Sequence, residues 1–209
     1  MLAAPVILRA EGLCFNYPHR ALFTNWSTCI RPGVTLLRGG EGRGKSTLLR
    51  LLAGVLPAIR GELAVNGVRL QDVPLAYRQQ VFWADPRSDA FDQATATDYF
   101  KSMALAHPRF NQHELGQLVA GFALTPHVDK PIYMLSTGSK RKVWLAAAFA
   151  SGACVTLLDE PFAALDGASI AYVLELLAGA ANQAERALVV AHYEAPGNVP
   201  LAAHIDLGD

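Results

Sequence analysis

Gly39-Gly40-Glu41-Gly42-Arg43-Gly44-Lys45-Ser46-Thr47 decides the reading of this chain. It matches the phosphate-binding P-loop pattern, a glycine-rich turn running into Lys and Ser/Thr. The six residues before it, Gly33-Val-Thr-Leu-Leu-Arg38, read as a short buried strand. Ser46-Thr-Leu-Leu-Arg-Leu-Leu-Ala53 reads as a helix with apolar rows. Strand, loop and helix in that order are what the motif needs. The glycines let the backbone curl round an anion and aim N–H groups at it. The helix N-terminus adds positive potential at the same point. Lys45 is expected on the β- and γ-phosphates, and the Ser46 hydroxyl on Mg²⁺.

Working outward, 209 residues suffice for one large domain or a core with an inserted subdomain. The apolar content of 52% is high, consistent with a surface that a partner covers. A formal net charge of +0 argues against a nucleic-acid footprint. The longest apolar stretch, Val143 to Leu158, is interrupted by Ser151, Gly152 and Thr156 and is too short to span a bilayer. Met1-Leu-Ala-Ala-Pro5 lacks the basic start and apolar run of a signal peptide. Cys14, Cys29 and Cys154 are scattered, which indicates neither a disulfide framework nor a zinc site. The expectation is a cytoplasmic protein held against something membranous.

Before the P-loop, Val6–Arg9, Leu13–Phe15 and Trp26–Ile30 are β-like runs broken by Gly, Pro and Asn, as in an antiparallel meander. Tyr17 closes the second. After it, Glu62–Val65 and Val68–Leu70 flank Asn66-Gly67, a strong hairpin signal. Val81–Ala84 is another short strand. Residues 95–133 read as a helical insert, in which Asn111-x-x-Glu114 is a capping-box pattern. A second helix runs from about Gly138 to Ala150. Cys154–Leu158 is a buried strand, Ser169–Ala181 a helix, and Ala187–Ala191 and Ala203–Leu207 the last strands.

Asp159 and Glu160 end a buried strand, where ligands gather in parallel sheets. Asp159 can hold Mg²⁺ through water, and Glu160 can act as general base on an attacking water. Leu135-Ser-Thr-Gly-Ser139 opens a helix, with Ser136 as its cap and free N–H groups able to grip a phosphate. At this point the sequence resembles the nucleotide-binding domain of ABC transporters. Leu135–Ser139 resembles the signature motif usually written LSGGQ. Ala164-Leu165-Asp166 resembles the D-loop, His192 the switch histidine, and Tyr17 the aromatic that stacks on adenine. The ordered set covers essentially the whole chain and is far more specific than any one member.

The resemblance implies an α/β P-loop NTPase of the ABC ATPase type. Its RecA-like parallel sheet core carries an antiparallel β subdomain and an inserted helical subdomain. The chain would form one domain over residues 1–209, with the β-rich catalytic core at about 1–84 and 153–209 and the helical part at about 95–150. Two such subunits would face head to tail and trap two ATP molecules with Mg²⁺. One subunit would supply Gly39 to Thr47, Asp159, Glu160 and His192 and the other Ser136 and Gly138, with Asp166 also among the nucleotide-binding residues. Lys45, Glu160 and His192 would carry catalysis, and a separate integral membrane permease would convert closure into transport. The size and layout are those of small exporter ATPases, among them the haem-exporter ATPases of cytochrome c maturation.

Departures keep other readings open. Family members carry a Gln soon after the Val81–Ala84 strand, where this chain has Asp85-Pro86-Arg87-Ser88. Gln93 is a candidate stand-in. Thr137 and Ser139 replace Gly and Gln in the signature. Glu41 is unusual in a phosphate loop, since a like charge about 6 Å from a phosphate costs about 3 kcal/mol at an effective dielectric near 20. It is expected to face Arg43 or the opposite subunit. Lys140-Arg141-Lys142 reads as a solvated, partner-facing helix start. An ATP-gated regulatory module with little hydrolysis and a soluble non-transport ABC ATPase remain as alternatives.

Overall fold

A computed structural model describes residues 5–85 and 88–208. Pro86 and Arg87, at the site of the missing Gln, lie outside the described residues. The chain forms two sheets. The first is antiparallel, in the order β2 (Arg20–Ile30), β1 (Leu8–Tyr17), β4 (Arg60–Val65), β5 (Val68–Arg69). The second is parallel, in the order β6 (Val81–Trp83), β7 (Val155–Asp159), β8 (Ala187–Ala191), β3 (Gly33–Arg38), β9 (Leu201–Asp206).

The two runs read separately before the P-loop are one strand, β1. Its pairing with β2 slips between Ala10 and Leu13, around Gly12, whose φ of 62° few other residues adopt. The hairpin at Asn66-Gly67 forms as read, both residues having positive φ, 48° and 80°. The helix α1 (Lys45–Leu52) follows the P-loop and lies on β7. A short helix, α2 (Pro74–Gln79), precedes β6; Tyr77 within it is buried and its hydroxyl donates to the Leu52 carbonyl. The helical insert consists of α3 (Ala96–Ala106) and α4 (Gln112–Gly121), which pack on α5 (Thr137–Ala150). Asn111 caps α4 by accepting from the His113 and Glu114 N–H groups. Its own N–H goes to the Ala150 carbonyl, so only half of the capping box forms. Finally, α6 (Gly167–Ala180) connects β7 to β8.

Strand alternation divides the core. Ala187, Val189 and Ala191 of β8 face α1 and the antiparallel sheet, while Leu188 and Val190 face α5 and α6. All five are fully buried, as a central parallel strand covered on both sides requires. β7, β8 and β3 are neighbours, and their C-terminal ends carry Asp159, His192 and the P-loop. Among the described residues, no helix is long and apolar enough to cross a membrane.

Candidate functional site

At the P-loop, Gly42 and Gly44 adopt φ of 71° and 96°, a conformation that side chains disfavour. Gly44 is the N-cap of α1, without a side-chain capping bond and without an acid in the first turn. The first N–H groups of α1 therefore remain available to an anion. Lys45 Nζ donates to the Gly39 carbonyl at 2.6 Å and to that of Gly40 at 3.3 Å, so its charge sits inside the curl of its own loop. Glu41 and Arg43 are both exposed, and neither forms an ion pair among the described residues. The expected Glu41–Arg43 pair is not formed: both residues are exposed, and holding two long, exposed side chains together gains little.

Gly40 to Thr47 line an open cleft of about 590 Å³ together with Asp159, Glu160, Ala163 and Arg141. Glu160 follows β7 with a left-handed φ of 46°, and its N–H donates to the Ala191 carbonyl. His192 leaves β8 with its N–H donating to the Leu37 carbonyl. These two main-chain bonds bring the side chains together, and His192 Nδ1 donates to Glu160 Oε2 at 2.7 Å. The imidazole lies between Phe162, at 5.2 Å, and Tyr193, at 4.4 Å between ring centroids. Ser46 and Asp159 both line the cleft, and a hydroxyl with a carboxylate is an oxygen donor set that suits Mg²⁺.

Tyr17 stands at the end of β1, its hydroxyl 3.1 Å from Thr47 Oγ1 and its ring edge-on to Phe15 at 5.1 Å. The ring remains 42% exposed, enough to offer a face to a planar base. Ser136, Gly138 and Asp166 are not part of the cleft lining in the same chain. Ser136 caps α5, accepting from the Ser139 N–H at 3.1 Å. Asp166 caps α6 through Ser169, 2.9 Å from both its N–H and its hydroxyl, and pairs with Lys142 at 2.8 Å. The Lys142 ammonium, then the Ser169 groups, hold the Asp166 carboxyl well below the usual carboxylate range. Gln93 is exposed and does not line the cleft either.

Two features escape a reading of the sequence. A Cβ on Gly138 would lie 2.5 Å from the Ala164 carbonyl oxygen, so this glycine has a reason inside its own chain. The basic run is also not the solvated, partner-facing surface expected from its composition. Lys140 pairs with Asp92 at 2.9 Å, Lys142 with Asp166, and Arg141 Nη1 donates to the Asp159 carbonyl at 2.9 Å. Burial lowers the tendency of the Arg141 guanidinium to stay protonated, and the charges of Asp159 and Glu160 oppose that. On α5 the three basic side chains diverge round the helix, so each meets a different element. Only helical phase against a known sheet could have shown this.

Residues 23–163 match the model of a protein family described as "ABC transporter". That match spans more than half of the chain. The chain belongs to the ABC transporter family. Within it, the sequence is 30% identical over 194 residues to a "Cytochrome c biogenesis ATP-binding export protein CcmA" of Pseudomonas savastanoi pv. phaseolicola, covering 92% of this chain and 91% of that one. A protein of the same name from Yersinia pestis is 29% identical over 203 residues, covering 97% and 88%. The fold agrees with solved ABC structures. "Structure of ATP binding subunit of ABC transporter" superposes with a TM-score of 0.80 at 25% identity, over 89% of this chain and 79% of that one. A putative ABC transporter ATP-binding protein from Pyrococcus furiosus gives 0.75 at 22% identity, over 96% of each.

Proposed function

We propose that the chain is the ATP-binding and ATP-hydrolysing subunit of an ABC transporter, working as a dimer on a separate membrane permease. The observation that carries the reading is the cleft, in which the P-loop, Asp159 and Glu160 converge, with His192 bonded to Glu160 from the adjoining groove, while Ser136 and Gly138 stay outside. The half that is present holds the phosphate loop, the metal donors and the base. The half that is missing is what a second subunit would bring.

The steps follow from the residues. The P-loop N–H groups and Lys45 cradle the phosphates, and Lys45 exchanges its bonds to Gly39 and Gly40 for phosphate oxygens. Tyr17 offers its exposed face to the base. Ser46 and Asp159 would hold Mg²⁺, which neutralises charge on the phosphates. Glu160 accepts a proton from the attacking water, and His192, bonded through Nδ1, fixes the carboxylate. The partner's signature helix would close the site with its N-terminal N–H groups. Glu41, exposed in the loop, would then face the opposite subunit. A groove of about 310 Å³, in which Trp83, Phe91 and Trp144 stand beside Arg50, Asp85 and Asp92, would give the permease a mixed apolar and polar seat beside the core. The names of the relatives point to export in cytochrome c biogenesis as the class of task.

The test is turnover and nucleotide binding of Glu160→Gln. Hydrolysis is expected to fall at least about a hundredfold, with ATP still bound and the dimer accumulating. Unchanged turnover would overturn the assignment. The Glu160–His192 contact disfavours a binding-only regulatory module, which has no use for a positioned base.

A further inference from the structure

The hairpin that joins β1 to β2 leans on the phosphate loop. Its last pair is Tyr17 opposite Arg20, with Pro18 and His19 between them. Residues opposite one another in an antiparallel pair present their side chains on one face, with Cβ atoms about 5 Å apart. The hairpin meets the loop at three points. The Tyr17 hydroxyl is 3.1 Å from Thr47 Oγ1. Arg20 Nη1 lies 3.7 Å from where a Cβ on Gly42 would stand. Leu22 packs on Gly44 so closely that a Cβ there would come within 2.7 Å of Leu22 Cδ2. Arg20 is exposed, and its side chain has neither a hydrogen bond nor an ion pair among the described residues. Its five N–H donors are therefore at the disposal of a ligand. Neither Arg20 nor Tyr17 lines the cleft of Gly40 to Thr47. Both border it from the antiparallel sheet, the side on which the Tyr17 ring stays exposed. A nucleotide with its base on that ring and its phosphates in the loop carries its ribose and first phosphate past Arg20. The Lys45 charge is held elsewhere, at the Gly39 and Gly40 carbonyls. Glu41 adds an acid next to Gly42, so a second cation at this edge of the loop has a use.

We propose that Arg20 is a nucleotide-binding residue: its guanidinium takes the phosphate nearest the base, which ATP and ADP both carry, and adds a cation from the antiparallel sheet to those of the P-loop. A planar fork of donors suits phosphate oxygens. The inference rests on the reading of this cleft as the ATP site. It has a consequence for turnover, because a grip on the first phosphate holds ADP as firmly as ATP and leaves discrimination between them to the groups around the γ-phosphate.

The experiment compares Arg20→Met, Arg20→Lys and Lys45→Ala with wild type in the full-length chain. Dissociation constants for ADP and for a slowly hydrolysed ATP analogue, both with Mg²⁺, are measured by titration calorimetry, and melting temperatures without nucleotide by scanning fluorimetry. Met keeps the aliphatic stem but donates nothing. Arg20→Met is expected to weaken both nucleotides by the same factor, about fivefold or more, the scale of one charge-assisted hydrogen bond at a partly exposed site. The gap to wild type should shrink between about 0.05 M and about 0.5 M salt, as a screened contact requires. Arg20→Lys keeps the charge without the fork and is expected to bind between the other two. The melting temperature should stay within about 2 °C, since Arg20 makes no bond among the described residues that the change would break. A Met variant that binds ADP and the analogue as tightly as wild type would overturn the proposal. So would a loss confined to the analogue, a loss that salt leaves unchanged, or a melting temperature that falls along with affinity. If Arg20→Met has no effect while Lys45→Ala no longer binds, the role of Arg20 alone is removed. A Lys45→Ala variant that binds both nucleotides as wild type does removes the reading beneath it.

Discussion

Replacing Gly138 with Ala should destabilise the protein even though it puts a better helix former into a helix. Gly138 lies in the first turn of α5, and a Cβ built on it meets the Ala164 carbonyl oxygen at 2.5 Å. The neighbour is backbone, in a segment where Ala164 already holds a left-handed φ of 62°, so it cannot yield as a side-chain tip would. Relieving such an overlap costs about 1–3 kcal/mol, against about 0.5–1 kcal/mol gained when Ala replaces Gly in a helix. The balance is a loss of up to about 2.5 kcal/mol with a midpoint of about 1.3 kcal/mol, which at that midpoint is about 3–5 °C in melting temperature for a chain of this size. Gly116 is the control. It sits exposed within α4 with nothing within 4 Å of its would-be Cβ, and Gly116→Ala should raise the melting temperature by about 1–4 °C. Differential scanning fluorimetry without nucleotide reads both. Nucleotide is left out because Gly138 is also proposed to meet phosphate across a dimer, and activity would confound the two roles. If Gly138→Ala melts as high as Gly116→Ala, the D-loop carbonyl does not press on this glycine and the tie between signature helix and D-loop is wrong.

Two further outcomes concern pH. The Asp166 carboxyl is depressed in the folded chain, so its contribution to stability is full above the unfolded carboxylate range, near pH 4, and fades as the pH falls below it. Asp166→Asn should therefore melt below wild type at pH 6, and urea midpoints at pH 6 and pH 3 should show the gap closing. His107 is buried, its Nδ1 3.2 Å from the Gln79 carbonyl, and burial lowers its pKa against the weaker opposing effect of that bond. The unfolded chain takes up the proton first, so stability is full above about pH 6.5 and falls below it. His107→Gln should cost about 1 kcal/mol at pH 8, and the gap to wild type in urea denaturation should narrow towards pH 5.

What could be read ahead of the structure was what local chemistry dictates. The P-loop, the strand ending in Asp159-Glu160 and the Ser136 cap each depend on a few adjacent residues, and each has its element where expected. The Asn-Gly hairpin is of the same kind. What stayed hidden depends on distant contacts. The six residues of α2 are too few for periodicity to show, although Pro74 at its first position was a signal in plain view. Gly12 looked like a break between two strands and is an irregularity within one, because β2 and β4 continue on either side of it. Arg141 carries no local sign of its partner, since the carbonyl it meets is 18 residues further along the chain. The pairing of Glu160 with His192 likewise depends on β7 and β8 being neighbours, which sequence order alone does not state.

That adjacency has its own consequence. The loop with Lys45, the base Glu160 and His192 grow from three strands lying side by side, β3, β8 and β7, whose separation is fixed by main-chain bonding at about 4.8 Å per step. The spacing of the reactive groups is inherited from the interstrand ruler and owes little to loop conformation. A slip of one strand would displace its group by a whole residue and invert which side chains it buries. Failure from such a slip should come as an abrupt loss of the entire constellation, and gradual tuning of the chemistry is left to the residues that brace the strand tips.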